Sequence, residues 1–142
     1  MGKLMPGVRR EDLVPAKDPG EGLRIAAEAA RQLEAAYGKR VRQVVLFGSW
    51  VKGEAHEESD VDLIVVLDQI ENRARERDRL VEVLYDLEVE SRRAIEAFPV
   101  GEADAQSGAR PFVVAALRDG TPLLRTPVVE EVDRDRGRGQ GG

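Results

Sequence analysis

The sequence predicts an α/β protein with a mixed sheet of three to four strands flanked by helices. Two short runs, VRQVVLF at 41–47 and VDLIVVL at 61–67, are dense in β-branched and aliphatic residues, as buried strands are. Two longer stretches, 21–37 and 70–88, repeat apolar residues at helical spacing instead. The chain has 142 residues, 42% of them hydrophobic, enough for one domain and one core. With aromatics at only 4%, that core must be filled by Val, Leu, Ile and Ala.

The elements follow in order. Residues 1–20 carry Pro6, Pro15, Pro19, Gly2, Gly7 and Gly20 with little apolar periodicity, which predicts a loose arm. Leu23, Ala26, Ala27, Ala30, Leu33 and Ala36 mark one face of a helix over 21–37, and Gly38 stands where a helix stops. The strand at 41–47 ends at Gly48 and runs into a short helical turn; the strand at 61–67 follows. In the helix over 70–88, Leu80, Val83, Leu84 and Leu87 share a face. A weaker strand spans roughly 92–100. Pro111 opening PFVVAAL, with Arg118-Asp119-Gly120 behind it, favours a short helix, and Leu123 and Leu124 add a terminal strand. From Pro127 the charged, glycine-rich run to residue 142 has nothing to bury and predicts a disordered tail, leaving 21–126 as the folded domain.

Composition removes whole classes of chemistry. There is no cysteine, so disulfides, thiolate metal sites and cysteine nucleophiles are excluded, and a single histidine, His56, excludes a Ser-His-Asp triad within the chain. His56 itself falls between the informative motifs and is expected to be merely exposed. The net charge of -5 argues against long nucleic acid as a partner. Neither a signal-peptide core nor an apolar run of membrane-spanning length is visible, so the expectation is a cytoplasmic protein without membrane association. Oligomeric state is not legible.

What remains is carboxylate, hydroxyl and backbone chemistry, and it concentrates in one segment. A buried strand running into Gly48-Ser49 and then a helical turn presents backbone N–H groups that attract phosphate. Gly48 leaves the approach open, while Ser49 offers a hydroxyl to a phosphate or to its own helix as a cap. Further on, Asp60 and Asp62 stand at i and i+2, so both carboxylates project to one face at the start of the second strand. Two adjacent carboxylates repel and resist burial, a cost that a hard divalent cation such as Mg²⁺ relieves. Each half alone has an ordinary structural explanation, a capped helix and a turn residue. Together they suit metal-assisted phosphoryl or nucleotidyl transfer.

With Gly48, Ser49 and Gly53 followed by Ser59, Asp60, Asp62 and Leu63, the chain resembles the polymerase-beta-like nucleotidyltransferases, and in length the minimal, single-domain branch. The resemblance covers about 23–125 and implies the small nucleotidyltransferase fold. It further implies that Gly48, Ser49, Lys52 and Ser59 bind a nucleoside triphosphate, ATP or another, and that Asp60 and Asp62 hold Mg²⁺. A third acid is expected on a later strand within AIEAFPV, which points to Glu96, a second ion being shared with it. Glu90, Glu102 and Asp104 lie close by, and a plain surface role for Glu96 stays open. Trp50 falls where Arg or an aromatic follows the serine.

The activity implied is transfer of a nucleoside monophosphate, AMP from ATP, to a hydroxyl acceptor, with pyrophosphate leaving. The acceptor implied is a partner of the all-helical HEPN type, the chain acting as antitoxin. A binding module that keeps the fold and only sequesters its partner is the alternative.

Overall fold

In the computed structural model, which describes residues 13–125, four strands form a single mixed sheet with helices on both faces. The order along the chain is α1 (Glu21–Tyr37), β1 (Val41–Phe47), α2 (Ser49–Lys52), β2 (Val61–Leu67), α3 (Arg73–Ser91), β3 (Ile95–Gly101), α4 (Glu102–Ser107), α5 (Pro111–Asp119) and β4 (Thr121–Arg125). Across the sheet the order is β3-β2-β1-β4, with β2–β3 parallel and both pairings of β1 antiparallel. The parallel pair is joined through α3, as a parallel crossover requires.

β2 is central and buried along its whole length, which is why VDLIVVL reads as nearly continuous apolar sequence. Its side chains alternate between two cores. Leu63, Val65 and Leu67 pack with Val44 and Leu46 beneath α1 and α3. Ile64 and Val66 join Val45, Val100, Val113 and Ala116 beneath α5. Asp62 has the parity of Ile64 and Val66, so it belongs to the α5 face, at the strand's opening end.

Several expectations shift. α1 has the bounds read from the sequence, yet its buried face runs through Ile25, Ala26, Ala29, Ala30, Leu33 and Tyr37, while Leu23 is 44% exposed. The long helix starts at 73 because Asn72 caps it, accepting Arg75 N–H at 3.0 Å, and it ends at 91 where Arg92 turns left-handed with φ 61°. β3 accordingly begins at Ile95 rather than near 92. The six-residue α4, with its polar sequence EADAQS, carries no apolar stripe and was not legible. Of the arm, residues 14–16 are tied down rather than loose: Pro15 bridges His56, Ala16 N–H donates to Ala55 O (3.1 Å) and Val14 O accepts from Glu57 N–H (2.9 Å). The expected tail from 127 and the arm's first twelve residues lie outside the described residues. No helix among the described residues is long and apolar enough to cross a membrane.

Candidate functional site

The site forms where β1 ends beside the start of β2, since Phe47 is the register partner of Asp62. Gly48 turns the chain with φ 89° and ψ -150°, a conformation essentially restricted to glycine. Its missing side chain matters twice. A Cβ there would lie 2.7 Å from Asp62 Oδ2, so only glycine lets the turn close over that carboxylate.

α2 follows, one turn long, with Val51 and Lys52 N–H donating back to Gly48 O at 3.1 Å. Ser49 caps nothing with its side chain. Its Oγ is buried and has no hydrogen-bond partner among the described residues. A buried hydroxyl without a partner is costly, and a ligand oxygen would satisfy it. Gly48, Ser49, Lys52 and Ser59, the four residues expected to hold nucleotide, all line one cleft of about 490 Å³. Its opposite wall is apolar, built from Phe47, Phe112, Ala115 and Ala116. Phe47, Phe98 and Phe112 brace that wall, with ring centroids 5.3–5.9 Å apart. Phe112, half exposed, is a residue that sequence periodicity gave no reason to single out.

Asp62 is 1% exposed. Burial pushes its carboxyl up to about 6, and the charges of Glu96 and Asp60 push in the same direction. Asp60, half-buried, stands one residue before β2 rather than on it; burial and then Glu96 raise its carboxyl too. Glu96 lies on the edge strand β3 as the register partner of Asp62, with its side chain exposed. Of the other acids weighed, Glu102 pairs with Arg42 (3.6 Å), Asp104 with Arg73 (3.8 Å), and Glu90 is exposed on α3. The fold therefore brings Asp60, Asp62 and Glu96 into one electrostatic neighbourhood. Among the described residues no three acidic or histidine side chains converge into a group able to hold a metal by themselves.

Ser59 is buried, and its Oγ accepts His56 N–H at 2.9 Å. That contact makes it a brace of the loop ahead of Asp60. His56, expected to be merely exposed, braces the same loop: its O accepts Ser59 N–H (3.0 Å) and its Nδ1 accepts Glu58 N–H (3.2 Å). Lys52 is exposed at the end of α2. Trp50 is 9% exposed and donates from Nε1 to Asp60 O at 3.1 Å.

The sequence profile of the nucleotidyltransferase domain matches residues 23–110. The protein adenylyltransferase MntA of Thermococcus cleftensis is 40% identical over 52 residues, 35% of this chain and 52% of that protein. MJ0604 of Methanocaldococcus jannaschii is 39% identical over 41 residues, 29% of this chain and 41% of that protein. The matched segment thus spans about half the length of these relatives or less. Among solved structures, one from Sulfolobus solfataricus aligns with a TM-score of 0.51 at 15% identity, covering 86% of this chain and 94% of that one. A toxin-antitoxin structure with AMP-PNP aligns with a TM-score of 0.50 at 21% identity, covering 75% and 78%. At these identities the structural likeness speaks for the fold.

Proposed function

This chain belongs to the nucleotidyltransferase domain family, and from that premise we propose that it transfers AMP from ATP to a hydroxyl on an acceptor protein. The observation that carries the reading is the closure of Gly48 over the buried carboxylate of Asp62, next to a cleft where Ser49 Oγ lacks a partner. The adenylyltransferase relative and the AMP-PNP in the structural neighbour support the choice of nucleotide.

In this reading Gly48 and Ser49 receive the phosphates, Lys52 faces their charge from the cleft's rim, and the wall of Phe47 and Phe112 takes the apolar part of the nucleoside. Asp60, Asp62 and Glu96 offer only hard oxygen donors, which fits Mg²⁺. Mg²⁺ is ordinarily bound by one or two carboxylates plus substrate phosphates rather than by a complete protein cage, so the absence of a converged three-ligand group is consistent with that fit. When bound, the ion would lower the acceptor hydroxyl's pKa and neutralise charge on the phosphates. Asp62 and Asp60 would hold it, and Glu96 would orient the acceptor side.

The acceptor proposed is a HEPN-type all-helical partner, as the family resemblance implies; that one structural neighbour is a toxin-antitoxin structure supports a partner protein. Incubation with α-labelled ATP, Mg²⁺ and a co-expressed HEPN-type protein tests the reading: label should appear on the partner and disappear with Asp62→Asn. Tight Mg-ATP binding with no label on any partner would instead favour a binding module.

A further inference from the structure

The loop between α2 and β2 carries Glu54, Glu57 and Glu58 and then delivers Asp60 beside Asp62 and Glu96. Like charges at that density push the loop away from the sheet. Pulling the other way is a side chain that the proposed chemistry does not use, Arg93. It comes from the turn between α3 and β3, three residues ahead of Glu96, and its side chain is only 10% exposed.

Every nitrogen of its guanidinium is engaged. Nε and Nη2 form a fork on the Glu21 carboxylate at the start of α1, at 2.7 and 3.0 Å. Nη1 donates to Glu57 O (2.7 Å) and Ser59 O (3.1 Å), with His56 O at 3.5 Å. Its carbon lies 4.8 Å from the centroid of the Trp50 ring, the distance of a cation–π contact. Trp50 in turn donates to Asp60 O. Gly22 admits the indole, since a Cβ there would fall 2.3 Å from the ring. The guanidinium thus draws the loop's carbonyls toward itself and ties the loop bearing Asp60 to the strand bearing Glu96.

We propose that Arg93, seated on Trp50 and oriented by Glu21, is a positioning residue that fixes the 56–60 loop and thereby places Asp60 for transfer; this rests on the nucleotidyltransferase reading above. It is not among the residues that line the cleft. Its role depends on a planar, five-donor fork that lysine cannot reproduce, although lysine keeps the charge.

The test uses the full chain with Arg93→Lys and Trp50→Phe, read two ways. Hydrogen exchange follows the amides of Glu57, Ser59 and Val61, each of which donates across the loop region, against Val44 and Val45 in the core. Steady-state transfer gives kcat and KM for ATP. In Arg93→Lys the loop amides should exchange about tenfold faster with the core amides unchanged, and kcat should fall at least about tenfold with KM within about threefold. Trp50→Phe, which keeps a ring under Arg93 and loses the bond to Asp60 O together with part of the indole's packing on Gly22, should fall between Arg93→Lys and the unmodified chain. Loop exchange unchanged in Arg93→Lys overturns the proposal whatever kcat does, and so does a rise shared equally by the core, which would mark a general loss of stability. If the unmodified chain transfers nothing, the function proposed above fails, while the exchange measurement still decides whether Arg93 holds the loop.

Discussion

The two ends of β2 carry an aspartate in opposite circumstances. Asp62 at the opening end is 1% exposed, lies in the field of Asp60 and Glu96, and has its carboxyl pushed up to about 6 by burial and by those charges. Asp68, just past the other end, is partly exposed; burial raises it, but Gln69 N–H at 2.7 Å and the Arg40 guanidinium at 3.1 Å together outweigh that and hold it below its ordinary value. Arg40 also reaches Glu76 and stacks on Tyr37, so that end is a network of opposite charges. One strand therefore separates charge that stabilises the fold from charge the fold tolerates, and the second kind lies at the end proposed to be functional.

The largest effect should come from forcing the Asp62 end apart. Gly48→Val places a branched side chain at φ 89° and against Asp62 Oδ2. Strain of about 1–3 kcal/mol plus displacement of that carboxylate should abolish ATP binding, measured by calorimetric titration, and lower the melting temperature. Normal binding by this variant would remove the turn from the site.

Next in size is the pH response. Asp62 binds its proton more tightly in the fold than in the unfolded chain. Its contribution is therefore fully present below the ordinary value of 3.8 and lost as pH rises through about 6. Unfolding free energy without Mg²⁺ should fall by about 3 kcal/mol over that window from this group, and Asp62→Asn should flatten the fall. Asp68→Asn should do the reverse, removing stability that is present above the ordinary value and lost in acid; at a partly exposed pair this is under about 1 kcal/mol. Smaller than the Asp62 effect, Ser49→Ala removes a hydroxyl rather than a charge, and ATP binding should weaken about tenfold.

The contrast was half legible in the sequence. Gly48, Ser49, Asp60 and Asp62 stand close together in the chain at spacings that chemistry explains, and β1 and β2 have the bounds their apolar runs imply. The face of α1 was misjudged because alanines flank it on several sides, leaving Ile25 and Tyr37 to decide the rotation only once packing is known. Arg93 gave no signal at all: nothing local separates it from Arg92, and its partners Glu21 and Ser59 lie 72 and 34 residues away. Nor does the sequence tell that Asp68 is held below its ordinary value while Asp62 is pushed above it, since that difference is one of burial and of which arginine the fold brings near.

On the proposed reading, the apo fold carries the Asp62 carboxylate at a cost that Mg-nucleotide relieves. Thermal unfolding at pH 7.5 of the unmodified chain, Asp62→Asn and Asp68→Asn, each with and without Mg²⁺ and a non-hydrolysable ATP analogue, tests it directly. The account predicts that apo Asp62→Asn melts above the unmodified chain and gains nothing from the ligand, whereas the unmodified chain and Asp68→Asn are both stabilised by it. An Asp62→Asn protein that melts lower without ligand and is stabilised by Mg-nucleotide as much as the unmodified chain would contradict it.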